Sequence, residues 1–327
     1  MAKRPSWVAV TVLALVALLR PLQAEAALTV FQTYVGNVGV STDGLATLTG
    51  GGTVSASVPV GATVLNAYLY SSMTPTTTAA GGTFNGNALV YTPLGANNQA
   101  LQAYRADVTS IVKPIIDGGV GGIYDFNVTE NNSNVTDGEA LVVVYSLPSL
   151  AVSTVGILDG FTQTTGDDTA INFSTALNPA EPGFLAEMRL GIGFSCCGQR
   201  SNITVNGTLI TQNAGNMDES GIASNGALLT VGGFDDPFSP LLPTYDQDHE
   251  RYDLVPQIDA GDMSIAVHTQ NPSNDDNIFL AVFNITGRGG VNEPPPDASV
   301  PEPASMLLLG TGLAGFAARR HRARKPQ

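Results

Sequence analysis

The chain predicts an all-β fold, an antiparallel β-sandwich or jelly-roll-like single domain. Three observations carry this expectation: turn formers are abundant, charged residues are scarce, and short apolar runs recur between glycine-bearing turns. The 327 residues include 36 Gly and 20 Pro, and only 13% are charged. Such a composition suits short strands joined by many turns.

Six segments carry the strand pattern: Thr29 to Val35, Val64 to Tyr70, Leu141 to Tyr145, Glu187 to Phe194, Ser264 to Thr269 and Ile278 to Ile285. Their Val, Ile, Tyr and Phe content fits a pleated, buried surface. Asn85-Gly86 and Asn206-Gly207 lie between short runs and predict tight hairpins. Two segments depart from the β pattern. Asp107 to Ile116 places Val108, Ile111, Val112 and Ile115 at helical spacing behind an Asp N-cap. Arg251 to Ile258 reads as a single further turn. Phe234 to Asp248, with Pro237, Pro240 and Pro243, reads as a long loop. No repeat or internal linker divides residues 27–290, so one extracellular domain is expected there.

The N-terminus opens with Lys3 and Arg4, runs through apolar Val8 to Leu19, and reaches Ala24-Glu25-Ala26. That order predicts a signal peptide over residues 1–26, cut after Ala26 by signal peptidase, with an apolar run too short to span a bilayer comfortably. The alternative is an uncleaved anchor helix.

The C-terminus follows another plan. A proline-rich linker over 291–299 leads to Val300-Pro301-Glu302-Pro303, an apolar helix over 304–318, and the basic cluster Arg319, Arg320, Arg322 and Arg324. Prolines keep the entry extended and accessible. The helix would reach about 22 Å, short for a hydrocarbon core, and the arginines stop transfer on the cytoplasmic side. These residues resemble the PEP-CTERM sorting domain, which covers about the last 28 residues here. The resemblance implies a substrate of exosortase, a membrane transpeptidase of Gram-negative bacteria with exopolysaccharide systems. It also implies transient anchoring, cleavage near Pro301 to Pro303, and delivery to the cell envelope or matrix. A plain tail anchor is the alternative.

Formal charge is −14, yet eight of the fourteen basic residues sit in the two terminal segments. Between Ala27 and Val300, six Lys or Arg face 26 Asp or Glu, a net of −20. Such a surface repels phosphate backbones and excludes nucleic acid as a partner. Cations and polysaccharides remain compatible with it.

Within the body, the run from Asp137 to Tyr145, the run Ile157 to Phe161 and the run Asn274 to Ala281 are similar to uncharacterised bacterial extracellular β domains. That likeness implies no activity.

Candidate sites are few. Asp235, Asp236, Asp246, Asp248 and Glu250 crowd one loop, with His249 and Asp253 beside them, and carboxylates so gathered suit calcium, which takes six to eight oxygens. The loop is no EF-hand, because Arg251 stands where Gly is needed and Gln257 where a bidentate Glu is needed. Asn274 to Asn277 is a lesser candidate of the same type. The competing reading is a solvated acidic loop. Cys196 and Cys197 are adjacent. Their α-carbons, about 3.8 Å apart, are closer than a disulfide prefers, so a vicinal bond would be strained; a plain pair of thiols is the alternative. Two cysteines build no disulfide framework. Sequons at Asn127, Asn131, Asn134, Asn172, Asn202, Asn206 and Asn284 are background in a chain rich in Asn, Ser and Thr.

For catalysis the body offers His249 and His268 as bases, without a nucleophile elbow, an H-E-x-x-H motif or a P-loop. The expectation is therefore a non-enzymatic exported protein with a structural or adhesive role in the biofilm matrix and no resident cofactor unless calcium. A lectin-like module and a secreted glycan hydrolase are the alternatives.

Overall fold

A computed structural model of the chain describes residues 27–96, 100–220, 222, 224, 226–272 and 277–295. The signal-peptide segment with Ala24 and Ala26, the motif Val300 to Pro303, the helix over 304–318 and the arginine cluster lie outside the described residues, as do Asn274, Asp275 and Asp276. Among the described residues no helix is long and apolar enough to cross a membrane.

The body is all-β, about 51% strand and 6% helix, in four antiparallel sheets. The first inner sheet runs β2 (Val38–Leu45), β10 (Thr136–Ser146), β4 (Thr63–Met73), β8 (Gln102–Asp107), β7 (Thr92–Ala96). Its outer partner runs β3 (Gly51–Val58), β9 (Gly122–Glu130), β5 (Gly82–Phe84), β6 (Asn87–Ala88). The second inner sheet runs β1 (Thr29–Gly36), β11 (Ser153–Asp159), β19 (Asn277–Thr286), β13 (Ala186–Gly193), β16 (Leu229–Val231), with β17 (Arg251–Asp253) also on β13. The second outer sheet runs β15 (Thr208–Ala214), β14 (Ser201–Val205), β18 (Ser264–Gln270), β12 (Asp167–Phe173), β20 (Gly289–Val291).

The side chains stack these sheets into four layers with three apolar seams. Alternation along β10 shows how: Leu141 and Val143 enter the seam with the first outer sheet, alongside Val54, Phe84 and Phe126. Ala140, Val142 and Val144 enter the middle seam, alongside Val155, Ile157, Phe279 and Val282 of the second inner sheet. Met188, Leu190 and Ile192 of β13 face the last seam, with Ile171, Ile203 and Ile265 of the second outer sheet. A strand buried on both faces reads as a continuous apolar run, which is why Leu141 to Tyr145 lacks the polar alternation of a one-sided sandwich strand. The body is thus two β-sandwiches joined inner sheet to inner sheet.

Local chemistry explains the connections. Asn85 and Gly86 have φ of 49° and 76°, and Asn206 and Gly207 have 47° and 80°. Both pairs therefore close two-residue hairpins with the left-handed backbone that Asn and Gly tolerate. The expected helix appears as α1 (Thr109–Asp117), although its N-cap is Val108 with no side-chain cap bond. Asp107 stands one residue earlier and accepts the Thr109 amide at 2.9 Å. The segment from Arg251 begins as strand β17 and turns only at Val255–Gln257, because Arg251, Tyr252 and Asp253 pair with β13.

Polar groups cross the middle seam at fixed points. Arg105 of β8 forms an ion pair with Asp159 of β11, lies 3.3 Å above the Phe31 ring centre, and shares Asp159 with the Tyr70 hydroxyl at 3.2 Å. Burial pushes the Asp159 pKa up while Arg105 pulls it back. Removing one partner of such a pair strands the other charge. Arg105→Ala is expected to cost about 3–5 kcal/mol in urea unfolding, and adding Asp159→Ala to recover part of that loss. A double variant no better than R105A alone would show that the pair does not join the sandwiches.

Candidate functional site

The acidic loop between β16 and β17 divides in the fold. Asp248 and Glu250 turn inward and are fully buried. Asp248 accepts Ser239 Oγ at 3.1 Å, the Tyr252 hydroxyl at 2.7 Å and the Thr211 hydroxyl. Glu250 accepts the Gly215 amide at 2.8 Å and the Thr230 hydroxyl. These neutral donors tie β15, β16 and β17 together. Burial pushes both pKa values up, with the Asp248 charge adding to the rise at Glu250. Asp246 sits exposed on a short 3-10 turn, Tyr245–Gln247.

The five carboxylates that the sequence groups as ligands do not form one site: among the described residues, the group whose ligand atoms converge within 4.8 Å is Asp218, Asp236 and His249. The reason is β17, whose pairing with β13 draws the chain around it inward. Asp236 and Asp235 instead meet Asp43 of β2. A Cβ added to Gly233 would lie 2.7 Å from Asp235 Oδ1, 3.0 Å from Asp236 Oδ2 and 3.6 Å from Asp43 Oδ1. Asp218 accepts His249 Nδ1–H at 2.6 Å. Glu219 leans on Gly44, where an added Cβ would be 2.5 Å from its carboxyl carbon. Burial raises the pKa of Asp43 to about 7, and the neighbouring Asp235 and Asp236 charges add to the rise. Asp43 lies far from this loop in sequence, and no local spacing announces it or singles out Asp218 and Glu219 just before β16.

A second acidic centre surrounds the start of β10. Both carboxyl oxygens of Glu130 are buried without a hydrogen-bond partner. Glu139 accepts the Tyr91 hydroxyl at 2.9 Å, and Asp137 accepts Ser72 Oγ at 2.9 Å and the Phe194 amide at 3.1 Å. Burial, then the Asp137 charge, raises the Glu130 pKa to about 8, and burial raises that of Asp137 to about 7. The signal in the sequence is that Asp137 and Glu139 directly precede a two-sided buried run, so the strand carries them inside.

Cys196 and Cys197 follow β13, with their Sγ atoms 2.8 Å apart. Cys196 is buried and Cys197 exposed, and φ of 61° at Cys197 turns the chain there. His268 Nδ1 lies 2.8 Å from Asp168 across the paired strands β12 and β18, on an exposed face.

Residues 299–322 match the PEP-CTERM protein-sorting motif. The chain carries a PEP-CTERM sorting tail. The motif indicates a chain exported and targeted to exosortase for processing at the cell envelope, typically of Gram-negative bacteria. No curated protein matches the chain.

Glu130 and Asp137 contribute to the pH response of the body in the same direction as the raised Asp43, Asp248 and Glu250. Their folded pKa values, about 8 and about 7, exceed the ordinary carboxyl value near 4, so the native state binds more protons than the unfolded state between those limits. Their contribution is full below pH ~4 and is lost as pH rises through ~7 to ~8. With chelator present, Tm is expected to fall from pH 5 to pH 8.5, and to fall less in Glu130→Gln. A Tm that rises over this interval would contradict the burial of both acids.

Proposed function

We propose that this chain is a non-enzymatic building element of the envelope or exopolysaccharide matrix, with a structural or adhesive role. The observation that carries this reading is the sorting tail, joined to a body about half of which is strand and which carries little helix. Two sandwiches fused through a packed seam make a stiff spacer, and stiffness suits a load-bearing surface component. A net charge of −20 over residues 27–300 keeps such a body soluble among neutral polymers and attracts cations. The inward-turned Asp248 and Glu250, saturated by fixed donors, suit a scaffold better than acid–base chemistry, which requires a carboxyl in reach of substrate.

Sorting and role are tested together. In the native host, the mature protein is expected in the surface or matrix fraction, lacking its C-terminal segment. In a strain without exosortase, or with Glu302→Ala, it is expected to stay in the membrane fraction at its uncut mass. Deleting the gene is expected to reduce matrix cohesion or cell attachment. Turnover of matrix polysaccharide by the purified protein would overturn the non-enzymatic reading, and release of an uncut chain ending at Gln327 would overturn the route.

A further inference from the structure

One end of the stack is defined by its strand pairings. There β3 passes into β4 through Pro59-Val60-Gly61-Ala62, α1 passes into β9 through Gly118 to Gly121, and β10 passes into β11 through Leu147 to Val152. Thr63 pairs with Ser146, Ser146 with Val38, Gly36 with Ser153 and Ser153 with Thr286, so this end is common to both sandwiches. Three large apolar side chains stand out from the first sandwich here: Val60 is 71% exposed, Val120 86% and Ile123 65%. Their loops press together, because a Cβ on Gly121, where φ is 79°, would collide with the Val60 backbone. Neither Pro59 to Ala62 nor Gly118 to Ile123 holds a charged or hydrogen-bonding side chain. Lys113 and Asp117, at the end of α1, neutralise each other in an ion pair at 2.7 Å. Contiguous exposed apolar groups of this kind mark a contact surface.

The sorting tail leaves from the same end. β20 starts there, since Gly289 follows Thr286 by three residues and pairs with Phe173. Asn292, with φ of 53°, then reverses the chain. Glu293 and Pro294 return beside Gly290, whose added Cβ would collide with the Pro294 carbonyl, and Asn172 Nδ2 donates to Glu293 O at 3.0 Å. Between Pro295 and the apolar run from Ala304 lie residues 296–303, a length of chain that reaches at most about 29 Å. An uncut, inserted tail therefore keeps this end within that distance of the bilayer.

We propose that this end seats on the lipid surface of the membrane that holds the tail, with Val60, Val120 and Ile123 entering the headgroup boundary. The proposal rests on the reading that the tail anchors the uncut chain. A few aliphatic side chains bind lipid weakly by themselves, yet a short tether raises their effective concentration at the surface. The tether leaves from the outer sheet of the second sandwich, whereas the apolar tip belongs to the outer sheet of the first. Three seams separate them, about 30 Å at one sheet spacing each. Two attachments so far apart on one end stand the stack upright on the membrane. The lack of charge at the tip matters because the rest of the body, at net −20, is repelled by anionic lipid. Cutting the tail removes the stronger attachment, so release needs no separate step.

The test uses the tail-bearing chain in phosphatidylcholine vesicles containing lipid brominated on its acyl chains. The sole Trp of the sequence, Trp7, is changed to Phe, and one Trp is introduced as Val120→Trp or, for comparison, as Val90→Trp. Val90 is 84% exposed and follows Leu89, whose amide bonds to Gly82 beside the far end of β9. Quenching of V120W by the brominated lipid is expected to exceed that of V90W by at least about threefold, because only a side chain at the acyl boundary is reached. Adding Val60→Ser and Ile123→Ser is expected to lower the V120W quenching and to leave Tm unchanged, since these side chains face solvent. A chain that floats with the vesicles while V120W is quenched no more than V90W would overturn the seat and leave anchoring by the tail intact. Equal V120W quenching without the Val60 and Ile123 side chains would do the same. A tail-bearing chain that does not float would overturn the anchoring and the seat with it.

Discussion

The contact between the two inner sheets is the constraint on which the architecture depends. Each of these sheets is covered on both faces, so neither can be half-solvated like a sheet of an ordinary sandwich. Val142, Val144, Ile157, Phe279 and Val282 share that middle seam, each no more than 1% exposed. At roughly 1.5–3 kcal/mol for each large side chain taken fully out of water, separating the sandwiches would expose a surface no isolated sandwich could tolerate. Every polar group that enters the seam must then find a partner inside it. Arg105 with Asp159, Arg189 with Glu187 and Thr42, and Asp137 with Ser72 and the Phe194 amide are the arrangements found.

The same packing creates the electrostatics. A chain with net −20 over its body has few cations to distribute, and Arg105, Arg189 and Arg251 are drawn to the seam and its rim. Carboxyls elsewhere in the interior rely on neutral donors, as Asp248 and Glu250 do, or stand without a donor, as Glu130 does. The first solution fixes a conformation; the second leaves a demand for a proton or a metal ion. The body is therefore a stiff frame with two acidic centres of different character. One is closed over at the start of β10, and the other opens at the junction of three sheet edges.

Much of the local structure is legible in the residues. All six strand segments read from apolar runs are strands, both Asn-Gly pairs are hairpin turns, and the helical spacing behind Asp107 produces α1. Strands without strong apolar content, such as β3 with Gly51, Gly52, Thr53 and Ser55, escape such a reading because their burial comes from a partner sheet far away in sequence. The helix begins one residue later than an Asp107 cap would place it, at Val108, while β8 ends on Asp107 and its carboxylate accepts the Thr109 amide.

The sequence alone determined the route and the material: export, the proline motif with its short apolar helix and basic end, the acidic surface and the β class. These are written in contiguous residues, because sorting enzymes read linear segments and because alternation and turn chemistry act between neighbours. Tertiary structure decided what the acids do. Asp43, Asp218, Glu219 and Asp236 are separated by up to nearly 200 positions and meet only because β2, β15 and β16 end at one edge of the stack. Asp248 and Glu250, on the same loop as Asp236, leave that group because β17 pairs with β13. Which carboxylates face one another depends on sheet order and register, and those are set by apolar packing over the whole body rather than by any local pattern.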